Sequence, residues 1–344
     1  MITRKLSYSR AAIAGVLAAG ALAGCAPANG AANTATSQLE QRTIVVDSVP
    51  AAEEGGLYVA QAEGFFAQQG LNVKIDTITG AERAIPDLQN DRAQLVVGNY
   101  VSFILAQIAG KFNEKAADFR IIAAGSQIQP GTEDLYVMPD SKFQTVPGLA
   151  KGHARIGLNT ANDIGGLMLG ATLAQAGYKL SDIRQVIPAA GFPALLRMLP
   201  AGQVDAAWLP QPLGEIAEQQ VGALPIADFD QGSLENFPLA GYIGATQWVR
   251  SHPDTVAAFL RALNQGQQLA DSDRQAVEQA MEKYAGLSPM VAATMAIDSY
   301  PLEIDVPQLQ RVADSMFEFG LTPGVKSPYQ ISQMIQPEPG MING

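Results

Sequence analysis

The residues best suited to bind a ligand are polar or aromatic side chains in the turns that follow short apolar runs. In chain order they are Ser48, Glu53, Gly80, Glu82, Asn99, Tyr100, Ser126, Asn159, Thr160, Asn162, Asp163, Trp208 and Gln211. The apolar runs predict strands. In an open α/β sheet, ligands bind beyond the carboxyl ends of the strands, where helix N-termini present unpaired N–H groups. These turns therefore predict a binding site.

Several of these residues also have a purely structural interpretation. Asn162 or Asp163 can cap the helix that follows them. Glu53, together with its neighbour Glu54, suits the acidic first turn of a helix, whereas a glutamate facing a cleft would select an amine or another hydrogen-bond donor. Trp208 can either stack on a planar ligand or cation, or lie buried between two lobes.

The composition excludes several kinds of chemistry. The 344 residues include a single cysteine, which leaves neither an internal disulfide nor a thiolate metal cage. The two histidines, His153 and His252, are too far apart in sequence for an HExxH metal motif. The net charge of −11, with no basic run in the body of the chain, argues against nucleic-acid binding. We expect no metal and no cofactor.

The elements that position the candidate residues alternate between strand and helix. The first round runs from Thr43 to Ala124, and the second from Arg155 to Trp208. This alternation predicts mostly parallel sheets flanked by helices, an α/β fold. From Ser251 onward the pattern is helical. Apolar residues there recur at helical spacing, as at Val256, Phe259, Leu260 and Leu263, which predicts core packing.

The N-terminus has the layout of a secretory signal. Three basic residues precede an apolar run too short to span a bilayer comfortably, and the run ends in the sequence LAGC at Cys25. These four residues resemble the bacterial lipobox, which implies acylation of Cys25, for example with palmitate, and a lipid anchor. We therefore expect a signal peptide over residues 1–24 and a flexible tether over residues 25–41.

The segments Gly56–Ala60 and Glu63–Val73, followed by Arg155–Gly157 and Gly202–Trp208, resemble a known family in their order and spacing. It is the family of solute-binding proteins of ABC importers for nitrate, sulfonates, taurine and thiamine-pyrimidine precursors. The resemblance implies a two-lobed, type II periplasmic-binding-protein fold that closes on its ligand by hinge motion. A sulfonate-binding member would be expected to offer neutral hydrogen-bond donors at the first binding loop, whereas this chain has Glu53 and Glu54 there.

The resemblance also implies a domain plan and partners. Lobe 1 would comprise residues 42–136 and 242–344, with the C-terminal helices packed on it, and lobe 2 residues 137–241. The chain would cross between the lobes near Glu133–Ser141 and Phe237–Gln247. We expect an extracytoplasmic monomer, attached to the bacterial cell membrane, that delivers a small solute to ABC permease subunits.

Three functions fit these observations. The first is a lipid-anchored importer receptor, and the second a ligand-sensing lipoprotein with the same fold. The third is an enzyme related to the eukaryotic pyrimidine synthases, for which the chain lacks a cysteine-rich iron site and a histidine in a predicted cleft loop. We expect no enzymatic activity. For the solute, the acidic residues and Trp208 and Tyr100 favour a thiamine-type aminopyrimidine, and a sulfonate- or nitrate-like anion is the alternative.

Overall fold

The computed structural model describes residues 38–110, 118–160, 162–187 and 191–336, without the side chains of Ala81 and Glu82. The predicted signal peptide, Cys25 and most of the predicted tether lie outside the described residues. Within these ranges, no helix combines the length and the apolar character that a membrane-spanning helix requires.

In the part of the chain that the structure describes, ten strands form two five-stranded sheets. Their bounds are β1 Thr43–Ser48, β2 Asn72–Thr77, β3 Leu95–Asn99, β4 Phe119–Gln127, β5 Glu133–Val137, β6 Arg155–Gly157, β7 Arg184–Val186, β8 Ala206–Pro210, β9 Leu224–Asp228 and β10 Pro238–Ala245. The first sheet has the strand order β2-β1-β3-β10-β4 and the second the order β7-β6-β8-β5-β9.

The two sheets share one plan. In the first, β1 pairs in parallel with β2 and β3, and β10 runs antiparallel to both β3 and β4. In the second, β6 pairs in parallel with β7 and β8, and β5 runs antiparallel to both β8 and β9. Each sheet thus has one reversed strand, at the fourth position. The predicted α/β fold with two mostly parallel sheets is confirmed.

Thirteen helices in the described residues cover the sheets. They are α1 Gly55–Ala62, α2 Phe65–Gln68, α3 Ala81–Gln89, α4 Tyr100–Gly110, α5 Val146–Lys151, α6 Ile164–Gln175, α7 Phe192–Met198, α8 Leu213–Val221, α9 Thr246–Ser251, α10 Pro253–Ser272, α11 Arg274–Ala285, α12 Pro289–Thr294 and α13 Val306–Glu318. Side chains at Asp273, Ser288 and Asp305 accept backbone hydrogen bonds and so define the starts of α11, α12 and α13.

The long C-terminal helix α10 packs on the first lobe. It lies close to α1, because a Cβ at Gly266 would collide with backbone and side-chain atoms of α1, and one at Gly56 with Gln267 of α10. The predicted apolar stripe of α10 is in the core, where Phe259 stacks on Phe66 with ring centroids 5.2 Å apart. The interpretation of this stripe as core packing is confirmed.

The chain crosses from one sheet to the other a few residues earlier in the sequence than predicted. Residues 128–132 connect β4 to β5, and residues 229–237 connect β9 to β10. The expected crossings, Glu133–Ser141 and Phe237–Gln247, contain the whole of β5 and of β10. All five side chains of β5 are buried, and this strand pairs on both edges within the second sheet. Residues 133–136 therefore belong to the second sheet and residues 238–241 to the first.

The last residues of the predicted tether are part of the folded body. Glu40 accepts hydrogen bonds from the backbone N–H groups of Asp254 and Thr255, at 3.0 and 2.8 Å. The amide side chain of Gln41 accepts a bond from Trp248 Nε1 at 3.0 Å. The expectation of a flexible tether over residues 25–41 is therefore wrong for residues 38–41, which join the first strand to α9 and the start of α10.

Candidate functional site

A cavity of about 50 Å³ lies between the two sheets, just beyond the carboxyl ends of β1, β3, β6 and β8. A single water needs only roughly 10–15 Å³, so this cavity has room for more than one water. Its walls come from both lobes, with Val49, Glu53 and Asn99 on one side and Asn159, Asp163 and Trp208 on the other. A small solute enclosed here would contact both lobes at once.

Seven of the predicted site residues line this cavity. They are Glu53, Gly80, Asn99, Asn159, Thr160, Asp163 and Trp208. As ligand contacts they stay predictions. The structure brings them together because the parallel strands of both sheets point their carboxyl ends at the space between the lobes.

Ser48 and Gln211 are buried beside the cavity without lining it. Ser48 Oγ donates to the carbonyl of Val49 at 3.1 Å and contacts Tyr58 Oη at 3.2 Å. Gln211 Nε2 donates to the carbonyl of Gly131 at 3.1 Å, and Gln211 Oε1 accepts from the N–H of Glu215 at 3.2 Å. Both side chains hold neighbouring backbone in place.

Tyr100, Ser126 and Asn162 also lie away from the cavity. Tyr100 and Ser126 line a second cavity of about 40 Å³. The Tyr100 ring packs directly on Gly241 of β10, where a side chain would collide with it, so this ring is not a stacking face in the cleft. Asn162 is exposed, with a left-handed φ of 53°. The side chain of Glu82 lies outside the described residues.

Buried carboxyl groups form one end of the cavity. A short 3₁₀ turn, Ala52–Glu54, follows β1 and carries Glu53 and Glu54. Glu54 has no exposed surface, and no N–H or hydroxyl group of the described residues donates to either of its carboxyl oxygens. Glu133 enters from β5 in the other lobe, and its Oε2 accepts a hydrogen bond from Trp208 Nε1 at 2.6 Å.

Burial controls the protonation of these groups. Desolvation raises the pKa of Glu53 to about 7. The same cause, reinforced by the neighbouring Glu53 carboxyl, raises the pKa of Glu54 well above its ordinary value. Burial also raises the pKa of Glu133, and that of Asp298 to about 8. Buried carboxyls without a counter-ion hold protons because the charged form loses its hydration. Glu53 and Glu54 lie side by side, so a proton on one can be shared with the other.

Asn159 and Asp163 line the cavity from the second lobe. Asn159 Oδ1 is buried and accepts no hydrogen bond from the described residues. Asp163 begins α6, where its Oδ1 accepts from the backbone N–H of Ile164 at 2.8 Å, so the capping interpretation is confirmed for Asp163. Its Oδ2 accepts from Ser102 Oγ of the first lobe at 2.6 Å. Asp163 therefore both starts a helix and joins the lobes.

Further hydrogen bonds hold the lobes together around the cavity. The N–H of Ala52 donates to the carbonyl of Gln211 at 3.2 Å. At the rim, Thr294 Oγ1 at the end of α12 donates to Glu215 Oε1 of α8 at 2.7 Å. Together with the Ser102–Asp163 bond, these contacts define a closed arrangement of the lobes.

The remaining walls are apolar, and Trp208 is central to them. Its ring is only 2% exposed and meets Phe192 edge-on, with centroids 4.9 Å apart. Gly165 at the start of α6 allows this position, because a Cβ there would collide with the indole. The interpretation of Trp208 as a buried residue is confirmed, and because its ring also lines the cavity, stacking on a ligand stays a prediction.

The cavity offers more hydrogen-bond acceptors than donors. All of its lining residues are described, and they include no lysine, arginine or histidine. Arg83, the basic residue nearest in sequence to a lining loop, is bound in ion pairs with Asp76 and Asp87. No group of three potential metal-ligating side chains in the described residues is placed to hold a metal ion. The chemistry of the lining suits a ligand that donates hydrogen bonds.

Sequence reasoning missed Glu133 and Asp298. Glu133 falls in a segment interpreted as an interlobe crossing, and Asp298 lies in a loop of the helical C-terminal region. Glu133 begins β5, whose five residues are all buried, but the two acidic residues at its start, Glu133 and Asp134, interrupt the apolar run that indicates a buried strand. No local signal identifies Asp298, because only the tertiary fold brings it to this cluster.

A comparison with protein-family models gives a match over residues 52–276, more than half of the chain, to the model described as "NMT1/THI5 like". The chain belongs to the NMT1/THI5-like family. No curated protein matches it closely enough to count as a relative.

Solved structures share the fold of this family member. The alkanesulfonate-binding protein SsuA from Xanthomonas axonopodis pv. citri, bound to MOPS, is 19% identical, with a TM-score of 0.71 over 87% of this chain and 99% of that one. The periplasmic nitrate-binding protein NrtA from Synechocystis PCC 6803 is 12% identical, with a TM-score of 0.69 over 84% of each chain. The desulfurization enzyme DSZB is 16% identical, with a TM-score of 0.64 over 87% and 97%. At these identities the likeness shows the fold.

Proposed function

We propose that this protein is the solute-binding receptor of an ABC importer. The observation that carries the proposal is the cavity enclosed between two lobes of the same plan, with polar groups from both lobes directed into it. A receptor of this kind captures its solute by closing the lobes and presents the closed form to a membrane permease. The names of two structural neighbours, which are binding proteins for an alkanesulfonate and for nitrate, support this proposal.

The solute that fits best is a small, flat molecule that donates hydrogen bonds, such as an aminopyrimidine of the thiamine type. Its amino group would meet Glu53 or Glu133, and its ring would lie against apolar walls that include Trp208. A sulfonate or nitrate ion fits less well, because no lysine, arginine or histidine lines the cavity to balance its charge.

Thermal unfolding with a panel of solutes tests this function. A solute at one hundred times its Kd stabilises the folded protein by about 2.7 kcal/mol. We expect 4-aminopyrimidine to raise the Tm, and taurine, an alkanesulfonate and nitrate to leave it unchanged. A shift with the anions alone would contradict the proposed solute, and no shift with any member of the panel would contradict the receptor function.

We propose that the protein binds its solute without converting it. The lining contains no cysteine, serine, lysine or histidine, and its possible bases are the carboxyl groups of Glu53, Glu133 and Asp163. The enzyme among the structural neighbours means that the fold alone does not decide this question. Recovery of unchanged 4-aminopyrimidine after prolonged incubation with the protein is the expected result.

We also propose that Cys25 is the acylated N-terminus of the mature protein, which would anchor the receptor outside the cytoplasm. The support is the lipobox-like sequence after a signal-peptide pattern. The same features fit a ligand-sensing lipoprotein. Deletion of the gene for this protein should abolish solute uptake if the protein is the importer receptor, whereas deletion of a sensor would leave uptake intact.

A further inference from the structure

The carboxyl end of the cavity has no cationic partner. Glu53 and Glu133 line the cavity, and Glu54 and Asp298 lie behind them. Glu54 is completely buried, and the neighbouring Glu53 carboxyl can share a proton with it; Asp298 is 5% exposed, and its Oδ1 accepts no hydrogen bond from the described residues. Four carboxyls from three separate parts of the chain therefore converge on one wall.

The groups that face these carboxyls from other elements do not supply a positive charge that could pair with them. The titratable side chains among them are Asp134, Asp163, Asp298, Tyr58, Tyr242 and Tyr300. Each is an acid or a phenol, and within the described residues no lysine, arginine or histidine is among the groups that perturb Glu53, Glu54 or Glu133. An uncompensated buried carboxylate is costly, so the ligand-free cluster holds protons in place of a counter-ion.

A ligand with a positive charge would change this balance. A cation placed against a carboxyl favours the ionised form and lowers its pKa, so the bound proton leaves as the cation enters. The resulting charge-assisted hydrogen bond is roughly twice as strong as a neutral one. Trp208 Nε1 already donates to Glu133 Oε2 and so fixes the orientation of this carboxyl towards the cavity.

We propose that Glu53, Glu54 and Glu133 form a subsite for a protonated nitrogen group on a flat ring, an aminopyridinium or amidinium, and that capture releases a proton from these carboxyls. This inference rests on the proposed function and specifies its solute. The apolar walls formed by Phe192, Trp208 and Leu239 accept the face or edge of a ring, and the carboxyl wall accepts its charged nitrogen.

A matched pair of probes separates charge from shape. 4-Aminopyridine is protonated at neutral pH, whereas 4-aminopyrimidine has nearly the same size and amino group and is uncharged. Isothermal titration calorimetry at pH 7 should give at least tenfold tighter binding of 4-aminopyridine. Titrations in phosphate and in Tris, which differ in ionisation enthalpy, should show the release of about one proton per bound ligand.

The pH dependence has a defined sign. Because the pKa of Glu53 is raised to about 7, the ligand-free carboxyl must lose its proton before it can pair with a cation. The affinity for 4-aminopyridine should therefore rise between pH 6 and pH 8, by up to about tenfold per pH unit when one proton is released. The affinity for 4-aminopyrimidine should not rise over this range.

The variant Glu133→Gln tests the subsite with little change of shape, since an amide oxygen can still accept from Trp208. It should weaken 4-aminopyridine binding at least tenfold and leave 4-aminopyrimidine binding within about twofold, and Glu53→Gln should act in the same direction. Glu63→Gln, at an exposed position between α1 and α2, is the matched control and should change neither affinity.

The outcomes separate this inference from the function on which it rests. Equal or tighter binding of the uncharged probe, no proton release, or unchanged affinity in Glu133→Gln would overturn the cation subsite and leave the receptor intact. Failure of both probes and of the anion panel to bind would overturn the receptor function together with the subsite.

Discussion

Substitution of Asp298 by asparagine should make the protein less sensitive to alkaline pH. Asp298 is 5% exposed, and burial together with the negative charge of Glu53 raises its pKa from 3.8 to about 8. The folded state therefore binds a proton more tightly than the unfolded state does. Between these two pKa values the unfolded chain releases the proton while the folded protein retains it, so stability falls as pH rises through this window.

The magnitude follows from the size of the shift. A change of about four pKa units at 1.36 kcal/mol per unit corresponds to about 6 kcal/mol if no structural relaxation occurs. Water entry and side-chain movement reduce the effect, so we expect a loss of about 2–4 kcal/mol between pH 5 and pH 8.5 from this residue. An asparagine at the same position carries no charge and avoids this loss.

Chemical denaturation at pH 5, 7 and 8.5 measures the effect. At pH 5 the free energy of unfolding of Asp298→Asn should be equal to or lower than that of the wild type. At pH 8.5 the variant should come close to the wild type or be more stable than it. Asp140→Asn, at an exposed position, is the control and should run parallel to the wild type. Parallel pH profiles for Asp298→Asn and the wild type would refute the claim that this carboxyl is buried in its protonated form.

Three further substitutions test the site and its anchor. Gly165→Ala places a methyl group against the indole of Trp208, so it should lower the free energy of unfolding by about 1–3 kcal/mol and weaken solute binding. The control is Gly166→Ala, where a Cβ meets open space. This variant should be neutral or stabilising by about 0.5–1 kcal/mol. Ser102→Ala removes the 2.6 Å hydrogen bond to Asp163 and should shift the equilibrium between closed and open lobes towards the open form by about 1.5–3 kcal/mol. X-ray scattering should then give a larger radius of gyration for this variant and an unchanged one for the control, Ser251→Ala. An unchanged radius for Ser102→Ala would contradict the role of this bond. Cys25→Ala should move the protein from the membrane fraction to the soluble fraction, and its continued retention in the membrane fraction would refute lipid anchoring.

The sequence predicted most of the strands that run parallel and missed the edge strand β9 and the two reversed strands, β5 and β10. Strands such as β1, with the β-branched run Ile44 to Val46, show a clear apolar pattern between turn residues. The strand β10 reads PLAGYIGA, in which two glycines and three small or cyclic residues give no strand signal. Its glycines serve the packing, since Gly241 makes room for Tyr100, and a short stretch of sequence does not reveal such a contact.

The candidate site was predictable where strand ends determine it. Asn99 is the last residue of β3 and Asn159 lies just beyond β6, whereas Trp208 lies in the middle of β8, and the structure brings all three to one cavity. Tyr100 follows Asn99 directly but points into the core of the first lobe, because successive residues at a helix start face different directions. Glu133 and Asp298 come from chain segments without a local signal, and only the tertiary fold places them beside Glu53.

The most direct test of the account is a crystal structure of the protein with 4-aminopyridine bound, the preferred probe of the matched pair. We predict that the ring lies between the lobes beside Trp208, with its charged nitrogen within hydrogen-bond distance of a carboxyl oxygen of Glu53 or Glu133. A probe seated elsewhere, or an anion bound in the cavity with the carboxyls turned away, would contradict the central claim.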